Sequence, residues 1–185
     1  MSFSIDWWWP LQEEINTQFG FSKSREEVSS RLISRLYKPK GNISSILSNK
    51  IVTIVGAGIT AEEEFITDGI KIAADGAVSA CLERNIIPEI IVTDLDGNLP
   101  EMVWANKKGS KIVVHAHGDN LSRLFEFSKE IQVISLTTTY PSSNTHCWGG
   151  FTDGDRGLMM SLSYDASSVY LVGFKFKKVG EYTGN

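Results

Sequence analysis

From residue 51 onward the chain repeats one pattern: a short apolar run rich in β-branched residues, a stretch with helical spacing, then another apolar run. The runs are residues 51–55, 70–74, 90–93, 111–114, 132–136 and 169–172. The helical stretches fall near 61–66, 78–84, 100–107, 121–129 and 156–164. A strand that reads as a continuous apolar run is covered on both faces, and parallel neighbours need a crossover helix between them. The alternation therefore predicts an α/β fold, a three-layer structure built on a mostly parallel sheet. In such sheets the ligand crevice lies beyond the carboxyl ends of the strands.

Residues 1–48 have a different texture and read as an N-terminal helical cap, packed on an α/β domain spanning 49–185 or on a second subunit. Trp7-Trp8-Trp9-Pro10 is an aromatic clump suited to anchoring by packing or to stacking a flat heterocycle, followed by an amphipathic stretch over 11–19. Ser24-Arg25-Glu26-Glu27 has the form of a capping box, and Val28, Leu32 and Leu36 recur at i+4 as one apolar helical face. Pro39-Lys40-Gly41-Asn42 closes that helix.

With 42% hydrophobic and 22% charged residues, the 185-residue chain has the composition of a soluble globular protein. A formal charge of −4 provides no general attraction for nucleic acid or an anionic membrane, so neither is an expected partner. Cys81 and Cys147 are isolated thiols, as in a reducing cytoplasm, and no apolar run reaches membrane-spanning length. The opening Met1-Ser2-Phe3-Ser4 lacks the parts of a signal peptide, and the expected location is the cytoplasm.

Four of the runs end in residues that carry chemistry. Gly56-Ala57-Gly58 follows the first, Asp75-Gly76-Ala77 the second and Asp94-Leu95-Asp96-Gly97 the third; His115-Ala116-His117-Gly118-Asp119-Asn120 closes the fourth. Asp94 and Asp96 are the most informative pair. At a strand end, i and i+2 side chains point to one side, and two carboxylates held so close call for a cation. Mg²⁺ takes one or two protein carboxylates and fills its other positions with water and phosphate oxygens. Asp119 reads as a third carboxylate for that metal, and Asn120 as the N-cap of the following helix.

Parts of this pattern fit several chemistries. Gly56-Ala57-Gly58-Ile59-Thr60-Ala61, with Asp75 following, matches a dinucleotide fingerprint, although Glu62-Glu63-Glu64 would repel a phosphate. Asp94 to Leu99 imitates the first motif of haloacid-dehalogenase-type phosphatases, with Thr152-Asp153-Gly154-Asp155 as a later acidic motif. His115, His117 and Asp119, joined by His146 or Cys147, have the donors of a zinc site. Gly149-Gly150-Phe151-Thr152-Asp153-Gly154-Asp155-Arg156-Gly157 is a glycine-rich loop entering a helix. It offers a hydroxyl, two acids and a guanidinium fork for a polyphosphate or the edge of a heterocycle.

Taken in order, Asp6-Trp7-Trp8, Gly56-Ala57-Gly58, Asp75-Gly76-Ala77, Pro88 leading into Thr93-Asp94-Leu95-Asp96-Gly97, His115 to Asn120 and Gly149 to Arg156 form a recognisable set. The set resembles the archaeal 6-hydroxymethyl-7,8-dihydropterin pyrophosphokinase family, whose catalytic domain is similar to that of thiamin pyrophosphokinases. The resemblance covers nearly the whole chain and departs at Ile59-Thr60, where a Pro-Ser pair is expected. It implies a thiamin-pyrophosphokinase-like, Rossmann-like fold and transfer of diphosphate from ATP to a reduced pterin alcohol, with release of AMP. It also implies a homodimer serving methanopterin- or folate-type cofactor synthesis.

In those terms Asp94, Asp96 and Asp119 hold Mg²⁺, Arg156 stabilises the transition state or a terminal phosphate, and His117 is the candidate base. Gly56, Ala57, Gly58, Gly76 and Asn120 border the ATP, with Asp75 on ribose or metal. Thr152, Asp153, Gly154 and Asp155 meet the nucleotide or the pterin's donor-rich edge. Three other readings stay open: a magnesium phosphatase with Asp94 as nucleophile, an Asp-x-Asp nucleotide-sugar transferase, and a non-catalytic nucleotide-binding module.

Overall fold

Each apolar run forms a strand in the computed structural model, which describes residues 5–64, 68–175 and 179–183. In chain order the elements are α1 (Trp8–Phe19), α2 (Lys23–Leu36), α3 (Ser44–Leu47), β1 (Ile51–Val55), β2 (Ile70–Ala74), α4 (Ala77–Glu83), β3 (Ile90–Thr93), α5 (Leu99–Lys107), β4 (Lys111–Ala116), α6 (Leu121–Phe127), β5 (Val133–Thr138), α7 (Asp153–Ser163) and β6 (Ser168–Val172). The strands form one six-stranded sheet in the order β5-β4-β3-β2-β1-β6, and every pairing is parallel.

Strand parity divides the interior into two cores. Val52, Ile54, Ile72, Ile90, Val92 and Val113 pack with Leu47 of α3 and Met160 of α7. Val55, Ala73, Ile91, Ile112 and Val114 pack with Ala80 of α4, Met102 of α5 and Leu124 of α6. Ile33 of α2 and Tyr37 enter this second core, and the buried Tyr37 hydroxyl donates to the Leu124 carbonyl at 2.8 Å. The result is the predicted three-layer α/β fold. β4 and β5 outrun their apolar segments because His115 pairs with Thr137, and Ala116 with Thr138, in a ladder that burial keeps intact.

The stretch predicted as a helix over 61–66 is turn and irregular chain through Glu64; residues 65–67 lie outside the described residues. Thr60 donates its backbone N–H to Glu63 Oε2 at 2.8 Å, a local bond that competes with a helical start. The capping box at Ser24 does not form. The helix starts two residues earlier, with Ser22 as N-cap and no side-chain capping bond. Its buried face is Glu26, Ser29, Ser30 and Ile33, while Val28 is 45% exposed. Polar partners select this face: Ser30 Oγ donates to Ser142 Oγ at 2.9 Å, and Glu26 Oε1 accepts the Gly118 N–H at 2.9 Å.

Trp8 is the buried anchor of the aromatic clump, donating Nε1–H to Gln12 Oε1 at 3.1 Å. Gln12 hands on to Asn16, and Asn16 to the Tyr140 hydroxyl, so one polar chain ties α1 to the loop after β5. The main chain steps outward from β1 to β5. α7 then crosses back over β1, β2 and β3 and sets β6 against the free side of β1. The connection reverses direction at β1/β6, where an open α/β sheet forms its crevice. No described helix is long and apolar enough to cross a membrane.

Candidate active site

A cleft of about 830 Å³ opens over the carboxyl ends of β1, β2, β3 and β6, with the N-terminus of α7 as one wall. On its floor Asp75, Asp94 and Asp96 each bring a carboxylate oxygen within 4.8 Å of the other two. The last two do not share a side through strand alternation, since β3 ends at Thr93. Leu95 turns the backbone at φ +70° and buries its own side chain, which leaves both neighbours facing the cleft. Asp75 is also left-handed, at φ +45°. Non-glycine residues held in that region cost stability and cluster at functional sites.

Thr93 joins the two loops. Its buried hydroxyl donates to Asp75 Oδ1 at 2.6 Å and accepts the Leu95 N–H at 2.7 Å. Gly97 makes room for the Asp75 carboxylate, because a Cβ there would overlap Asp75 Oδ2 and sit 2.9 Å from both Gly76 N and Met102 Cε. Gly97→Ala is therefore expected to weaken divalent-cation binding at least tenfold and to cost stability as well, because the added Cβ also meets the Gly76 backbone. Titration calorimetry beside a thermal melt checks it, and unchanged affinity would refute the packing argument.

His117 points Nε2 at Asp94 Oδ2, 3.5 Å away, while its Nδ1 accepts the Asp119 N–H at 3.3 Å. An acceptor Nδ1 places the proton of the neutral ring on Nε2, so His117 donates toward Asp94 and neither nitrogen is free to take a proton from a substrate. Asn120 is buried but does not cap α6 with its side chain. Its Nδ2 donates to the carbonyls of Asp94 and His115, each at 2.8 Å, and its Oδ1 accepts the His117 N–H at 3.1 Å. Asp119 is not brought to the carboxylate cluster; it pairs with Arg25 at 2.9 Å and is largely exposed. Asp75 takes the third place. His115, His117 and Asp119 do not converge on one centre: the first is buried, the second turns to Asp94 and the third to Arg25.

Opposite the carboxylates, Thr152 caps α7 in a capping box with Asp155. Asp153 and Arg156 form a largely buried ion pair at 2.9 Å through Nη1, and Arg156 Nε is buried with no hydrogen-bond partner. Phe174 fits against α7 because Gly154 has no side chain; a Cβ there would lie 2.7 Å from the ring. Gly56, Ala57, Gly58 and Gly76 line the cleft. The amides of Gly56 and Gly58 already donate to the carbonyls of Val172 and Gly173, so the loop presents fewer free donors than a phosphate cradle.

Charge is poorly balanced in this cleft. Burial, reinforced by the Asp153 charge and relieved by Thr93, pushes Asp75 up to about 8. Burial also lifts Asp153 to about 7 against the pull of Arg156, and burial and the Asp94 charge raise Asp96. In Asp94 burial is outweighed by the hydrogen bond from His117 and the positive charge of Arg156, which leave it below its usual value. Burial keeps His115 neutral, helped by the charge of Arg156. Asp94 Oδ1 is buried without a hydrogen-bond partner. Hard oxygen donors, mutual repulsion and an orphaned carboxylate oxygen all suit a divalent cation.

Sequence reasoning passed over Thr93, Glu26 and Phe174 as site residues. A hydroxyl at the end of an apolar strand, just before an acidic pair, was a usable signal for Thr93. Nothing local distinguishes Glu26, whose partner Gly118 is remote in sequence.

The model of a family described as 6-hydroxymethylpterin diphosphokinase, MptE-like, matches residues 31–180. A Pyrococcus furiosus protein named 6-hydroxymethyl-7,8-dihydropterin pyrophosphokinase is 36% identical over 182 residues, covering 93% of this chain and 78% of its own length. Proteins of the same name are 33% identical in Methanothermobacter thermautotrophicus (93% of this chain, 78% of the relative) and 34% identical in Methanocaldococcus jannaschii (91% and 78%).

Proposed function

Because the chain belongs to the MptE-like 6-hydroxymethylpterin diphosphokinase family, we propose that it transfers the diphosphate of ATP to the hydroxymethyl oxygen of 6-hydroxymethyl-7,8-dihydropterin and releases AMP. The observation that carries this reading is the Asp75, Asp94 and Asp96 cluster facing Arg156 across one cleft. The acceptor hydroxyl attacks the β-phosphorus and gives up its proton to solvent as the bridge to the α-phosphate breaks and AMP departs. Charge therefore grows on the leaving oxygen and on the non-bridging oxygens.

Asp75, Asp94 and Asp96 would hold Mg²⁺, which when bound neutralises phosphate oxygens and orients them for displacement. His117 keeps Asp94 ionised and aimed, and the Thr93 hydroxyl aims Asp75. Asp153 fixes the guanidinium of Arg156 from one side, leaving its other edge for phosphate oxygens. Asn120 holds the β3 and β4 loops at a constant separation. Gly56, Ala57, Gly58, Gly76 and the start of α7 at Thr152, Asp153, Gly154 and Asp155 border the volume left for ATP. The same reading makes the protein a cytoplasmic homodimer feeding methanopterin- or folate-type cofactor synthesis.

Purified protein with ATP, Mg²⁺ and 6-hydroxymethyl-7,8-dihydropterin is expected to form AMP only when the pterin is present, and Asp94→Asn should abolish it. Separation of AMP, ADP and inorganic phosphate decides the matter. Phosphate without AMP would replace this reading with a phosphatase, and ATP binding without any turnover would leave a nucleotide-binding module.

A further inference from the structure

A second cavity adjoins the cleft, a groove of about 340 Å³ between α1 and α7. Trp7, Leu11, Phe151 and Met159 make its apolar walls, and Glu14 and Asp155 are its acids. Phe151 and Asp155 also line the cleft that holds the aspartates, so the two cavities share a wall. Trp8 is buried as an anchor, yet its neighbour Trp7 is 47% exposed and Phe151 is 40% exposed. Folding alone has not covered these rings.

We infer that this groove seats the fused ring of the acceptor alcohol, an inference that rests on the pyrophosphokinase reading. The two cavities divide the chemistry. The cleft offers carboxylates and a guanidinium, which suit a metal and phosphates, and the groove offers aromatic and aliphatic faces on which a flat heterocycle stacks. A 2-amino-4-oxopyrimidine edge presents adjacent N–H donors that a carboxylate accepts as a fork. Glu14 lines the groove and not the cleft, as an acid that the phosphate-binding side does not share. A ring whose amino edge meets Glu14 has its hydroxymethyl end directed over Phe151 and Asp155 toward the aspartates. The rival occupant is a second copy of the chain covering the exposed rings. Two acids within the groove and its opening onto the cleft favour a small polar ring.

The test uses Glu14→Gln and Trp7→Leu in the full chain, both changes at exposed positions. Pterin and ATP are varied separately in steady-state assays, with oligomeric state followed by light scattering. The KM for the pterin should rise about tenfold in each variant. The KM for ATP and kcat should stay within about twofold, the oligomeric state should not change, and Glu14→Asp should recover part of the loss. Normal wild-type turnover with an unmoved pterin KM in both variants overturns the groove assignment alone, as does a rise in KM that appears only with subunit dissociation. Wild-type protein that neither binds the pterin nor forms pterin-dependent AMP overturns the parent reading and the groove assignment with it.

Discussion

Asp75→Asn is expected to lose at least a thousandfold in turnover while melting at a higher temperature than the parent when no metal is present. The two effects have one cause. Asp75 is buried beside Asp96 and Asp153, and its folded-state value near 8 stands far above the ordinary 3.8. Between about pH 4 and pH 8 the folded chain therefore retains a proton that the unfolded chain has released. With more protons bound in the folded state, stability falls as pH rises through that window. Asparagine does not titrate and still accepts the Thr93 hydroxyl bond, so the advantage of the variant grows from pH 5 to pH 8 and then levels off. A gain of about 2 kcal/mol at pH 8, or about 5 °C in melting temperature, is the expected size. Excess Mg²⁺ should invert the ranking, since only the parent has the full set of carboxylates. Thermal melts at pH 5, 7 and 8, with and without Mg²⁺, check the whole pattern. A variant less stable than the parent at pH 8 without metal would show that the Asp75 carboxylate is already compensated.

Arg156→Met should lower kcat by about 10²–10³-fold, the usual cost of removing a preorganised donor from a developing phosphate charge. It should also destabilise the fold by about 3 kcal/mol at pH 8, because Asp153 loses the partner that holds its carboxyl down to about 7. Without the guanidinium Asp153 rises further, so the folded state keeps its proton over a wider range. The penalty then grows with pH, being small near pH 5 and largest above pH 8. Adding Asp153→Asn should restore much of the stability and none of the activity. Denaturant unfolding at two pH values and AMP formation for both single variants and the double variant complete the cycle. Recovery of activity in the double variant would remove Arg156 from the reaction.

The legible part of this protein was its sheet. Ile51–Val55, Ile70–Ala74 and Ile90–Thr93 match their apolar runs because charged or turn-forming residues bound each one: Lys50 and Gly56, Gly69 and Asp75, Glu89 and Asp94. Limits moved where buried polar residues extend the ladder, as at His115, Thr137 and Thr138. Helix faces were harder to read. In α2 the apolar stripe at Val28 pointed away from the face that packs, since that face is decided by Glu26 reaching Gly118 and Ser30 reaching Ser142. Those partners lie 92 and 112 residues away, beyond any local pattern.

The same division runs through the candidate site. Local chemistry was enough to place Asp94, Asp96, Asp75, Asp119, His117 and Arg156 at strand and helix ends, because apolar periodicity locates those ends and acids, imidazoles and glycines stand out against it. Which of them meet was decided by the tertiary structure. Left-handed turns at Asp75 and Leu95 direct three carboxylates to one point, Arg25 of α2 draws Asp119 aside, and the Asp119 amide fixes the His117 tautomer against Asp94. Periodicity is a property of neighbours along the chain and so survives in the sequence alone. A shared metal site is a property of distances between separate loops, and only the packed sheet and its covering helices set those.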